Sequence, residues 1–127
     1  MTKSAVEMVK EAKTRIANLT AEQVASELAK GNAVLVDLRE PEERIQNGAI
    51  PGAISAPRGM LEFYADPTSA YHRPEFDPAH RIILYCASGG RSALATDMLQ
   101  QMGYSNIGHL DGGIKAWKEA GQPLSNS

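Results

Sequence analysis

Cys86 is the only cysteine in 127 residues, and it is followed at once by A-S-G-G-R-S, residues 87–92. The thiolate, not the thiol, is the nucleophile, so a cysteine does chemistry only where its neighbours favour the charged form. These neighbours can. Gly89 and Gly90 allow backbone angles that a residue with a Cβ resists, so the N–H groups of Ala87, Ser88, Gly89 and Gly90 are able to turn toward one point. Arg91 adds a positive charge beside them. The spacing predicts an anion-binding cradle, with Cys86 as nucleophile and residues 87–91 around it. The competing reading is a buried structural thiol at the end of a core strand. A merely packed thiol, however, has no use for two glycines and an arginine.

Such a cradle needs a strand before it and a helix after it. Ile82–Tyr85 reads as a buried strand that stops at Cys86. Beyond the loop, Leu94, Met98 and Met102 recur at helical spacing and Gly103 closes the segment. Arg91 opens that helix, so the positive end of its dipole adds to the loop amides.

The flanking elements give the sheet. Thr20 and Gln23 make a capping-box pattern, Leu19 can staple onto Val24, Leu28 continues the apolar face and Gly31 ends it. Ala33–Leu38 (A-V-L-V-D-L) follows as a strand apolar on both sides, as in parallel sheets. Pro41 fits the first turn of a short helix, Glu42 and Glu43 suit its N-terminal dipole, and it stops by Gly48. A turn on Pro51 and Gly52, a short strand at Ile54–Ala56 and one or two helical turns between Arg58 and Tyr64 come next. Residues 66–80, with Pro67, Pro74 and Pro78, read as a long irregular loop of the kind that either acts or moves. Asn106–Leu110 is another strand. Gly112 and Gly113 turn the chain into a last helix, with Ile114 and Trp117 toward the core and Gly121 and Pro123 as stops. Residues 125–127 should fray.

Strands alternating with helices specify an α/β fold, an open and mostly parallel sheet with helices on both faces. Ligands of such sheets bind beyond the C-terminal ends of the strands, where Cys86 lies. Residues 2–17 carry Ala5, Val6, Met8, Val9, Ala12 and Ile16 among charged residues, which predicts a loosely attached amphipathic helix at the edge. The organisation is therefore an N-terminal helical extension, 1–18, and one domain, 19–124. A net charge of −2 with no basic run argues against nucleic acid, and no apolar stretch reaches membrane-spanning length. The charged N-terminus lacks the apolar core of a signal peptide, so the expected location is the cytoplasm. A single cysteine excludes an internal disulfide. His72, His80 and His109 have no ligand-like spacing, so neither metal nor cofactor is expected.

Three motifs in order, D-L-R-E-P-E-E-R-I-Q-N-G-A-I-P-G-A at 37–53, C-A-S-G-G-R-S at 86–92 and D-G-G-I-K-A-W-K-E-A-G-Q-P at 111–123, resemble those of the single-domain rhodaneses, sulfurtransferases. The resemblance runs from Thr20 to the end. It implies a rhodanese-like single domain in which Cys86 takes a sulfane sulfur from thiosulfate or a similar small donor. The sulfur is held as a persulfide and passed to a thiol or cyanide. Ala87, Ser88, Gly89, Gly90 and Arg91 would form the loop around the persulfide and the donor's anionic group. Ala49 stands where many members have His, a change that touches local packing and not the nucleophile.

Supporting residues have two readings each. Asp37 and Arg39 end a buried strand, where Asp can accept backbone N–H bonds and Arg can pair with Glu. Their functional version is to hold the Cys86 loop in shape. Arg58 reads as solvated, Trp117 as core, and Asp111 as the cap of the last helix and not a base. Two other classes use similar parts. A Cys-dependent phosphatase or arsenate reductase has a comparable cradle, and a sulfur-sensing or binding module would need no turnover. Tyrosine-phosphatase-like loops enclose five residues between Cys and Arg, whereas Cys86 and Arg91 enclose four. Tyr85 stands where such phosphatases commonly have His, and no Asp is clearly placed as a general acid. All three observations favour sulfur transfer.

Overall fold

A computed structural model describes residues 2–126 of the chain. Its order is α1 (Ala5–Lys13), β1 (Asn18–Leu19), α2 (Ala21–Ala29), β2 (Ala33–Asp37), α3 (Pro41–Asn47), β3 (Ile54–Ser55), α4 (Leu61–Ala65), β4 (Arg81–Tyr85), α5 (Gly90–Gln101), β5 (Ile107–Leu110) and α6 (Gly113–Glu119). A 3₁₀ turn, Arg58–Met60, leads into α4. The five strands form one sheet in the order β1-β5-β4-β2-β3, and every paired strand is parallel.

The apolar runs that carry no alternation are explained by that topology, because helices cover both faces. Ile82 and Leu84 of β4 join Val36 and Leu38 in a core completed by Leu61, Phe76, Leu99 and Tyr104. Ile83 and Tyr85, one residue out of phase, join Leu35 in a second core with Val24, Ile114 and Trp117. Thus α4 and α5 pack on one side of the sheet, and α2 and α6 on the other. Each buried Leu, Ile or Phe contributes about 1.5–3 kcal/mol, so β4, embedded on both faces, is firmly held. Cys86 follows it directly.

The irregular stretch 66–80 is pinned rather than loose. Phe76 is buried, and the Tyr104 hydroxyl lies 2.7 Å from the Ala65 carbonyl and 3.0 Å from that of Phe76. Among the described residues no helix is long and apolar enough to cross a membrane.

Four expectations are corrected. Ser125 does not fray: its N donates to the Ala49 carbonyl at 2.7 Å and its carbonyl accepts from Ala49 N at 2.9 Å. The N-terminal helix spans only Ala5–Lys13, with a capping box from Ser4 and Glu7. The chain then adds β1, which pairs with β5 at the sheet edge. A two-residue strand has no periodicity to reveal it. Nor is this segment loosely attached: Ala12 is fully buried, Arg15 bonds Asp97 at 3.0 and 2.7 Å, and Gln100 Nε2 donates to the Arg15 carbonyl. Asp111 does not cap the last helix. Gly112 does so, in a left-handed conformation with no side-chain bond, and the Asp111 carboxylate pairs with Lys13 at 2.7 Å.

Candidate active site

Cys86 lies at the C-terminal end of the central strand and is only 1% exposed. Two amides donate to its Sγ: Gly89 N at 3.2 Å and Ser92 N at 3.4 Å. Ser92 N belongs to the first turn of α5, so this donor is one of the unsatisfied groups at the positive end of a helix. Ala87, Ser88 and Gly90 make no bond to Sγ. The expected four-amide cradle is therefore realised at the sulfur by Gly89 and by a residue one step beyond the predicted loop.

The loop is aimed by α6. Its first amides bond back to the carbonyls of Cys86 and of the first loop residue, Ile114 N to Cys86 O at 2.9 Å and Lys115 N to Ala87 O at 3.2 Å. With those carbonyls tied down, the following N–H groups turn the other way. So close an approach requires Gly113 to have no side chain. A Cβ there would sit 2.5 Å from the Ala87 carbonyl carbon and oxygen and from the Cys86 oxygen, and φ is +63°. Gly89, with φ +106°, makes the left-handed turn that opens α5.

Asp37 and Arg39 come together but do not touch the sulfur. Asp37 Oδ1 accepts from Arg39 N and Nε, both at 3.0 Å, while Oδ2 accepts from Arg39 Nη2, Arg44 Nη1 and the Tyr85 hydroxyl at 2.8–2.9 Å. Tyr85 in turn accepts from Ile50 N at 3.2 Å. Burial, then the charge of Asp37, pushes the Tyr85 hydroxyl up, so it stays a proton donor. Arg39 pairs with Asp37 and the Gly48 carbonyl, not with a Glu. This cluster fixes Tyr85, the residue before Cys86.

The glutamate instead takes Arg91. Glu43 of α3 holds its guanidinium with two bonds, at 2.8 and 3.0 Å, and the hydrogen bonds from Arg91 hold the Glu43 carboxyl down at about 2. Arg91 therefore stands beside the loop, already partnered. Next to it is a hollow of about 260 Å³ walled by Ala87, Ser88, Arg39, Glu43, Lys115 and Lys118. A larger hollow of about 490 Å³, between α1 and α5, includes no residue of 86–92. Arg58 bonds Glu62 at 2.8 Å, and Trp117 is buried in the core. Among the described residues no cluster of His, Cys, Asp and Glu could hold a metal ion.

Three polar groups behind Cys86 are not marked by the sequence as parts of one site. Ser92 was visible only as the last letter of the cysteine motif. His109 and Asn18, sequence-distant from it, form a file behind it: Ser92 Oγ to His109 Nδ1 at 2.7 Å and His109 Nε2 to Asn18 Oδ1 at 2.8 Å. Nothing in the spacing of residues 18, 92 and 109 could have joined them before the register of β1 and β5 was known.

Residues 20–120 match the family described as Rhodanese-like domain. The chain belongs to that family. It is 34% identical over 93 residues to a sulfurtransferase of Allochromatium vinosum, covering 73% of this chain and 78% of that one. To the human thiosulfate:glutathione sulfurtransferase it is 30% identical over 104 residues, covering 76% and 89%. The chain spans 65% of the length of a mitochondrial relative from Schizosaccharomyces pombe. Among solved structures, a Rhodopseudomonas palustris protein of unknown function, described as a possible tyrosine phosphatase, superposes with a TM-score of 0.93 at 40% identity, covering 98% of this chain and 96% of that one. Rhodanese-like membership accounts for the sheet, the cysteine loop and the closing D-G-G-I-K-A-W segment together.

Proposed function

We propose that this rhodanese-like protein moves a sulfane sulfur from thiosulfate, or a donor like it, to a thiol or cyanide through a persulfide on Cys86. The observation that carries the reading is the pair of amides, Gly89 N and Ser92 N, aimed at a buried Sγ at a helix N-terminus. They stabilise negative charge on that sulfur. In the first step the Cys86 thiolate attacks the outer sulfur of thiosulfate; the donor's S–S bond breaks, its electron pair leaves with sulfite, and a Cys86 persulfide forms. In the second, an acceptor thiolate or cyanide attacks the outer sulfur, and the electron pair of the broken S–S bond returns to Cys86. Backbone amides serve the charge in both steps, as an oxyanion hole does.

Arg39, Lys115 and Lys118 in the wall of the adjoining hollow suit it to a small anion or an anionic thiol. The human relative, a thiosulfate:glutathione sulfurtransferase, supports a thiol as acceptor. Asp37 and Arg39 act at one remove, by fixing Tyr85.

The similarity to the Rhodopseudomonas protein, a possible tyrosine phosphatase, raises phosphate ester hydrolysis as a second reading. The ring from Cys86 to Arg91 is short for a phosphoryl group, and reacting atoms must come within about 3–3.5 Å. Asp111, the carboxylate nearest Gly89, is paired with Lys13 and is a poor general acid. Thiosulfate:cyanide, thiosulfate:thiol and aryl phosphate assays on one preparation decide, with Cys86→Ser as control. Sulfur transfer lost in the variant supports the proposal; Cys86-dependent phosphatase turnover without sulfur transfer reverses it.

A further inference from the structure

The file behind Cys86 has a direction, and Asn18 sets it. Asn18 Nδ2 donates to the carbonyls of Lys13 at 2.9 Å and Ile16 at 3.3 Å, which leaves Oδ1 as the atom facing His109 Nε2 at 2.8 Å. An amide oxygen only accepts, so Nε2 carries the ring proton. Burial keeps His109 neutral, holding it down at about 4. Nδ1 is then a bare lone pair, and the Ser92 hydroxyl, 2.7 Å away, donates to it. The Gly89 carbonyl, 3.3 Å from the same hydroxyl, is the weaker acceptor. With its proton committed, Ser92 Oγ turns a lone pair toward Cys86 Sγ at 3.6 Å.

We infer that Asn18 and His109 are positioning residues that keep the Ser92 hydroxyl proton away from Cys86, so that Ser92 accepts from the thiol and withholds a third donor from the thiolate. Ser92 and His109 are fully buried, so no solvent hydroxyl can substitute. The device lies partly outside the matched family region, because Asn18 precedes residue 20 and is held by the carbonyls of Lys13, the last residue of α1, and of Ile16. The N-terminal segment thereby bears on the reactivity of Cys86 without touching it.

Charged groups around the file do not reverse its sense. Arg91 on α5 is paired with Glu43 of α3. Asp111 after β5 and Lys13 on α1 act on His109 in opposite directions.

The inference rests on Cys86 being the acting thiol, but its test does not need sulfur transfer. The iodoacetamide alkylation rate of the full chain is followed against pH. Asn18→Ala lets His109 carry its proton on Nδ1 and donate to Ser92, whose hydroxyl then turns to Cys86. The midpoint of the alkylation curve falls by about 0.5–1 pH unit, roughly three- to tenfold more thiolate below the midpoint. His109→Leu moves it the same way. In a Ser92→Ala background, Asn18→Ala produces no further shift. Ring ¹⁵N spectra of the unmutated protein, assigned by the signal missing in His109→Leu, show the Nε2–H tautomer. An Nδ1–H tautomer or an imidazolium at neutral pH overturns the inference whether or not the variants fold. So does an unchanged or raised midpoint in Asn18→Ala, or an equal shift without Ser92.

Discussion

Arg91 and Glu43 grip each other side-on, Nη1 2.8 Å from Oε1 and Nη2 3.0 Å from Oε2, and this pair ties the Cys86 loop to α3. Both side chains are about one-third exposed, so the pair adds at most about 1 kcal/mol to stability. On the proposed function its effect is kinetic. Glu43 holds Arg91 beside the hollow that the donor would enter. Arg91→Ala and Glu43→Ala are each expected to lower kcat/KM for thiosulfate about tenfold, and the double variant to be no worse than Arg91→Ala. The coupling, about 1–2 kcal/mol in a double-mutant cycle, is the quantity to measure. Additive effects would mean that the two residues act separately.

Gly113 is the most demanding backbone position of the site. Gly113→Ala forces a methyl into the carbonyls of Cys86 and Ala87 at 2.5 Å. We expect a loss of at least about 3 kcal/mol, from left-handed strain and overpacking together, with most activity gone in whatever folds. Gly121 is the control. Its φ is +75° with open space around the missing Cβ, so Gly121→Ala is expected to cost about 1–2 kcal/mol and leave turnover intact. Urea titration and steady-state kinetics on the two variants check this.

His109 makes stability fall on acidification, and the sign follows from its burial. Its folded value, about 4, lies below the ordinary 6.5. Between those values the unfolded chain binds a proton that the folded chain refuses, so lowering the pH favours unfolding. Stability is fully present above the unfolded value and is lost as the pH falls toward 4. From pH 7 to pH 5 the loss from this residue is on the order of 2 kcal/mol. Urea midpoints of the parent at both pH values should differ accordingly, and His109→Leu should flatten the difference. An unchanged slope in that variant would show that His109 titrates normally.

Much of this architecture is legible in the chain itself. Ile82–Tyr85 and Ala33–Leu38 show apolar runs too short for helices and covered on both sides, so they could only be interior parallel strands. Thr20 with Gln23 and the glycines around α6 mark their boundaries through local chemistry. The position of Cys86 after a central strand follows from the same pattern. What escapes are relationships set by register. β1 is two residues long, so Asn18 gives no sign of pairing with His109. Glu43 looks like a dipole partner because its own helix suggests that; its bond to Arg91 spans 48 residues. Asp111 has a capping position but a nearer cation in Lys13. Long-range polar pairing has no period, and the sequence carries no other trace of it.

That Cys86 carries the transferred sulfur is tested most directly by an intact mass spectrum after incubation with thiosulfate. The expected result is a gain of one sulfur atom per chain, located on the peptide bearing Cys86, removed by cyanide or a thiol and absent in Cys86→Ser. An unchanged mass while thiosulfate is being consumed, or sulfur that persists in Cys86→Ser, would contradict it.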